Sequence, residues 1–218
     1  MNNERFQTII FDLDGTIIDS AQGILNSAMY ALHKMGIEDV ERDSLYSFIG
    51  PPLRDSFRTF FKMNDEDSKK AVDYYREYYR EKGVLEVSIY DGIAEVLKTL
   101  KQQGKQVMMG TSKPEIFARR IADHLDIAQY FDVIAGGDLE GKRDDKVSVL
   151  NYGLEQLGNP GSEEILMVGD RKFDVLGAAK LGIDTLGVLY GFGEQEELEQ
   201  AGAKWIVENP MDIIEFLS

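Results

Sequence analysis

The chain has 218 residues, with 39 Asp and Glu against 24 Lys and Arg and a formal net charge of −15. A hydrophobic fraction of 43% with 10% aromatics is ordinary globular composition and argues against disorder. So acidic a chain lacks the clustered cations that nucleic acid or an anionic membrane surface needs, and with no cysteine it has no disulfide, thiolate nucleophile or cysteine metal site. The opening MNNERFQ has no apolar signal core and no apolar run is long enough to span a bilayer, so a cytoplasmic protein is expected. Composition is silent on oligomeric state.

Thr8-Ile9-Ile10-Phe11 is a β-branched and aromatic run ending at Asp12, which predicts a buried strand entering a loop. From Ser20 to Met35, Ile24, Leu25, Ala28, Leu32 and Met35 recur at helical spacing, and Gly36 supplies a stop. Pro51-Pro52 opens a further helix containing Leu53, Phe57, Phe60 and Phe61, and another runs from about Asp65 to Lys82. About seventy residues after the first strand therefore read as helical, without a convincing strand.

Asp91-Gly92 then precedes a helix with Ile93, Val96, Leu97 and Leu100. Strands follow at 106–109, 131–135, 165–168, 185–189 and 204–207. Between and after them lie helices opening at Pro114, over 146–157 and 172–181, and near 194–201 and 211–217. Strands alternating with helices of this length imply an α/β fold, a Rossmann-like parallel sheet covered on both faces. The helical block is economically read as an inserted α-helical domain. The expected division is 1–17 with 89–218 as the α/β core and 18–88 as the insertion.

In open α/β sheets ligands gather beyond the carboxyl ends of the strands. Those ends carry Asp12 and Asp14, Thr111 and Ser112, and Asp170 with Asp174. Four neighbouring carboxylates repel unless cations or protons compensate, and an oxygen-only ligand set suits Mg²⁺. A carboxylate beside Mg²⁺ can attack phosphorus, while a second acid two residues away protonates the leaving oxygen and later activates water. Phosphoryl transfer otherwise needs positioning and charge stabilisation, from a lysine, hydroxyls and backbone N–H groups.

Asp12-Leu13-Asp14-Gly15-Thr16, Thr111-Ser112, Lys146 and Gly169-Asp170-Arg171-Lys172-Phe173-Asp174 occur in the order of the four motifs of the haloacid dehalogenase-like hydrolases, which the chain resembles over essentially its whole length. The helical insertion sits where that family places a C1-type cap. Thr111-Ser112-Lys113-Pro114, Phe48-Ile49-Gly50-Pro51-Pro52-Leu53 and Tyr90-Asp91-Gly92-Ile93 are similar to its phosphoglycolate phosphatase-like branch. The resemblance implies Asp12 as nucleophile and Asp14 as general acid and base. It implies Mg²⁺ held by the Asp12 carboxylate, the Asp14 backbone carbonyl and Asp170, with Asp174 orienting the lysine or metal-bound water. Thr111 and Lys146 would hold the transferring phosphoryl, helped by N–H groups near Leu13, Asp14 and Ser112. The sequence departs from many relatives at Val147, where they carry proline. Lys142 competes for the lysine role, and Lys146 is preferred because Asp144 or Asp145 can cap the helix it opens.

The implied activity is Mg²⁺-dependent hydrolysis of a small phosphorylated metabolite through an aspartyl-phosphate, with phosphoglycolate or a nucleoside 5′-monophosphate as leading substrates. The rivals are a β-phosphoglucomutase-like phosphotransferase and a non-catalytic binding module on the same fold. Arg54, just after the Gly50-Pro51-Pro52 turn, is the candidate for substrate recognition. Gly136 to Arg143 nearly matches a phosphate-binding loop, but Arg143 stands where a hydroxyl residue is required. Gly191-Phe192-Gly193 is too short for a nucleotide fingerprint. His33 and His124 suit helix surfaces or ends, and Tyr74, Tyr75, Tyr78 and Tyr79 suit core packing.

Overall fold

Thr8–Phe11 forms β1, and all four of its residues are buried. Such a run without alternation is what a central strand covered on both faces requires. The computed structural model describes residues 3–51, 53–139, 142–143 and 145–218. Pro52, Gly141 and Asp144, which the sequence reading used, lie outside these residues. The chain divides into two compact units, residues 1–19 with 88–218 and residues 20–87.

β1 is followed by β2 (Ile18–Asp19), after which the second unit supplies α1 (Ala21–Lys34), α2 (Leu53–Phe61) and α3 (Asp65–Glu81). Within that unit α1 and α3 pack together, with Leu25, Ala28 and Leu32 of α1 and Val72, Tyr75 and Tyr79 of α3 buried. Asn64 caps α3 by accepting the Asp67 N–H at 2.8 Å. Tyr75 and Tyr79 stack at 5.6 Å, while Lys34 and Lys70 lie over the half-buried Tyr74 ring.

The first unit resumes with β3 (Ser88–Ile89), then α4 (Ile93–Gln102), β4 (Gln106–Pro114), α5 (Glu115–His124), β5 (Val133–Gly137) and α6 (Lys146–Gln156). It ends with β6 (Ile165–Gly169), α7 (Lys172–Ala179), β7 (Asp184–Val188), α8 (Gln195–Ala201), β8 (Trp205–Val207) and α9 (Asp212–Leu217). Six strands form one parallel sheet in the order β5-β4-β1-β6-β7-β8. From β1 the chain therefore winds outward through β4 to β5, then returns to β6 and winds the other way. That reversal opens a crevice at the carboxyl end of β1, the place where such sheets bind ligands. Ile10, Met108 and Met167 from β1, β4 and β6 pack with Val149, Leu150 and Ala178 from α6 and α7 in a hydrophobic core.

Three local differences from the sequence reading have physical causes. β2 and β3 form a two-residue antiparallel ladder, Ile18 with Ile89 and Asp19 with Ser88, too short to leave a periodic signal. β4 continues past Met109 to Pro114, which is also the N-cap of α5, the helix expected to open there. Its register shifts between Thr111 and Pro114, and a proline at a strand end forfeits no ladder bond. β5 lies two residues later than expected because Gly136 and Gly137, poor strand formers by composition, pair with Thr111 and Pro114.

Candidate active site

Strand register sets the site. Phe11 of β1 is level with Met109 of β4 on one side and with Val168 of β6 on the other. Asp12, one step beyond β1, therefore emerges between the ends of its two neighbours, and its N–H donates to the Val168 carbonyl at 3.0 Å. Thr111 and Asp170 follow on either side. The loop after Asp12 is tightly wound, with the Leu13 carbonyl accepting from Thr16, Ile17 and Ile18.

Lys146 occupies the first turn of α6, and the Asp145 carboxylate caps that helix by accepting the Ser148 N–H at 3.0 Å. Its buried ammonium reaches Asp12 Oδ1 at 2.8 Å, Asp174 Oδ1 at 2.7 Å and the Gly110 carbonyl at 2.9 Å. An ammonium has three donors, and these partners use all of them. Burial works against its charge, but the facing Asp12 and Asp174 carboxylates outweigh that and hold the lysine above its ordinary value. Gly177 of α7 leaves room for the lysine stem; a Cβ there would lie 2.8 Å from Lys146 Cβ.

The carboxylates are unequally supplied. Asp174 is committed to protein, since Oδ1 meets Lys146 and Oδ2 accepts the Arg171 N–H at 3.1 Å in the capping box that starts α7. Asp170 is fully buried, and its hydrogen bonds come from neutral donors: the Thr16 hydroxyl to Oδ1 at 3.3 Å and the Phe192 N–H to Oδ2 at 2.8 Å. Burial first, then Asp174 and Asp12, push Asp170 up to about 8. Burial likewise raises Asp12 to about 6, against the opposing charge of Lys146.

Asp12, Asp170 and Asp174 offer carboxylate oxygens that all lie within 4.8 Å of one another. One lysine cannot neutralise three buried carboxylates. An all-oxygen donor set with this residual negative charge fits a hard divalent cation such as Mg²⁺.

Asp14 stands apart from that cluster. Its carboxylate is half-buried and pairs with Lys113 Nζ at 2.6 Å. Thr111 is buried at the end of β4, where its hydroxyl accepts the Lys113 N–H at 3.2 Å, and Ser112 beside it is exposed. Arg54 belongs to the other unit, on α2, where it pairs with Asp65 at 3.5 Å. In the P-loop-like stretch, Arg143 donates to the Gly136 carbonyl at 2.6 Å and pairs with Glu115 at 3.1 Å, so it braces a strand edge. His33 and His124 are exposed on helices.

Sequence reasoning missed four contributors to this geometry: Lys113, the Gly110 carbonyl, the Thr16 hydroxyl and the Phe192 N–H. Lys113 was visible as a cation two residues after Thr111, but nothing in one dimension pairs it with Asp14. The backbone groups carry no residue-type signal. Tyr190 adds a further brace by donating its hydroxyl to the Thr16 carbonyl at 3.0 Å, with its ring 5.1 Å from Tyr90. Burial, then Asp19, Asp170 and Asp14, keep the Tyr90 phenol above its ordinary range.

Residues 9–188 match the family model described as haloacid dehalogenase-like hydrolase. The chain is a haloacid dehalogenase-like hydrolase. This hydrolase is 40% identical over 194 residues to a 5′-nucleotidase of Pseudomonas aeruginosa, covering 89% of this chain and 87% of that one. It is 28% identical to a phosphoglycolate phosphatase of Colwellia psychrerythraea, covering 94% of each. Protein tyrosine kinase A of Mycobacterium tuberculosis superposes on it with a TM-score of 0.83 at 37% identity, covering 97% of this chain and 98% of the other. Among the described residues, no helix is long and apolar enough to cross a membrane.

Proposed function

We propose that the protein is a Mg²⁺-dependent phosphatase that hydrolyses small phosphomonoesters through an aspartyl-phosphate on Asp12. The observation that carries this reading is the convergence of the Asp12, Asp170 and Asp174 carboxylates, two of them on Lys146, whose single charge cannot balance three. The Asp12 and Asp170 carboxylates, with the Asp14 backbone carbonyl, would hold the cation, which supplies charge neutralisation at the phosphoryl oxygens.

Lys146 fixes the rotation of the Asp12 carboxylate through Oδ1, so the nucleophile is oriented before substrate arrives. Asp12 attacks phosphorus, the bond from phosphorus to the ester oxygen breaks, and Asp14 gives its proton to that oxygen. In the second half Asp14 takes a proton from water, the water oxygen attacks phosphorus, and the Asp12–phosphorus bond breaks to release phosphate. Thr111, with the N–H groups of Leu13, Asp14 and Ser112, would hold the phosphoryl oxygens, and Lys146 would join them by releasing one of its three present partners. Asp174 keeps Lys146 in place.

The kinship with a 5′-nucleotidase and a phosphoglycolate phosphatase supports nucleoside 5′-monophosphates and phosphoglycolate as leading substrates. For Arg54 we retain a part in substrate selection, tested by whether Arg54→Ala raises KM with kcat maintained. A panel of phosphomonoesters ranked by kcat/KM, with and without a chelator, tests the whole reading. Loss of turnover on chelation and its return with Mg²⁺ are expected, and full activity without divalent metal would overturn the reading. A second reading, transfer of the phosphoryl group to a hydroxyl acceptor, draws support from the kinship with a protein tyrosine kinase. Labelled phosphate released to water or captured by an added acceptor distinguishes the two.

A further inference from the structure

The Gly191-Phe192-Gly193 segment, between β7 and α8, has no part in the chemistry above, yet it closes on the most deeply buried carboxylate of the site. The Phe192 N–H donates to Asp170 Oδ2 at 2.8 Å. A Cβ at Gly191 would lie 2.6 Å from Asp170 Cβ and 2.7 Å from its Oδ2, and one at Gly193 would overlap the Asp170 backbone carbonyl. Real Cβ atoms do not approach that closely, so only glycine allows the loop to lie flat on this residue. Gly15, at φ +84°, is equally tight against the Asp170 carboxylate, its carbonyl oxygen is the nearest atom to a Cβ at Gly191, and the Thr16 hydroxyl bonds to Oδ1. Tyr190, the residue that enters the loop, ties it to the Thr16 carbonyl at 3.0 Å.

Resting on the reading of Asp170 as a metal ligand, we infer that residues 190–193 are a positioning clamp for that ligand. Tyr190 and the two glycines press the loop against Asp170, and the Phe192 N–H fixes the carboxylate's rotation. The loop sets the affinity for the cation and leaves the handling of the phosphoryl group to other residues. Its two glycines allow close approach to Asp170, Gly191 to the side chain and Gly193 to the backbone carbonyl. Partners of a metal ligand that orient it in this way change metal affinity by about ten- to a hundredfold when removed.

The test is calorimetric titration of Mg²⁺ into metal-free wild type, Gly193→Ala, Gly191→Ala and Tyr190→Phe, beside melting curves without metal and steady-state kinetics. Gly193→Ala should bind Mg²⁺ about tenfold more weakly and need correspondingly more for half-maximal turnover. At saturating Mg²⁺ its kcat should recover, with KM for the phosphomonoester unchanged. Tyr190→Phe, which keeps the ring and loses only the bond to Thr16, should show the same pattern in smaller measure. A purely structural role would lower the metal-free melting temperature and leave the Mg²⁺ isotherm of the folded protein as in wild type; that result overturns the inference. Should Gly193→Ala fail to fold, Tyr190→Phe decides by the same criterion. If wild type binds no Mg²⁺ at all, the proposed function itself fails and this inference falls with it.

Discussion

Lys146 shows how one side chain joins residues that are far apart in the chain. It touches Asp12 from 134 positions away and the Gly110 carbonyl from 36. Lys146→Met leaves two buried carboxylates without their cation and should cost about 3–5 kcal/mol of stability in urea unfolding, a loss that shrinks in acid as they protonate. An unchanged midpoint at neutral pH would show that the buried pairing is not needed. Asp12→Asn keeps the shape of the site and removes the proposed nucleophile, so kcat should fall by on the order of a thousandfold or more with the circular dichroism spectrum intact. The positions of the motif aspartates, Thr111 and Lys146 at strand ends and a helix start were legible because their residue types and spacing form recognisable motifs. Lys113 was not, because its ion pair with Asp14 depends on the register shift at the end of β4.

At the scale of elements, the parallel strands were legible because β1, β5 and β6 are uninterrupted in burial. Their order was not, since adjacency in a sheet is decided by crossovers and leaves no local pattern. The β1 register against β4 and β6 gathers the site, and helix placement completes it. α7 both caps itself with Asp174 and opens a gap at Gly177 for the Lys146 stem. Gly177→Ala should therefore displace Lys146 instead of merely crowding the core. A stability loss of about 1–3 kcal/mol accompanied by a fall in kcat is expected, measured by denaturant unfolding and initial rates. Loss of stability with wild-type kcat would mean that the lysine tolerates the added methyl group. The glycine loop after β7 gave only a stretch too short for a nucleotide fingerprint, because backbone donors and close approach leave no motif in the sequence.

For the whole molecule, the charge of −15 is unevenly spread, since residues 191–218 hold seven acids and one base. One of these acids, Glu197, is paired with Arg171 at 2.8 Å. The charge that matters for pH is buried. Asp170, raised to about 8, and Asp12, raised to about 6, hold protons in the folded metal-free protein that the unfolded chain has already released. Their contribution to stability is therefore complete in acid and is lost as pH rises toward about 8. Mg²⁺ bound as proposed would displace those protons, so the gain in melting temperature on adding it should be larger near pH 8 than near pH 5. An equal gain at both would separate the cation from these carboxylates. The most direct test of the account is acid quenching during turnover of a good substrate, followed by peptide mass spectrometry. One phosphoryl group on Asp12, absent from Asp12→Asn, is the predicted result; a phosphoryl group on another residue, or turnover undiminished in Asp12→Asn, would contradict it.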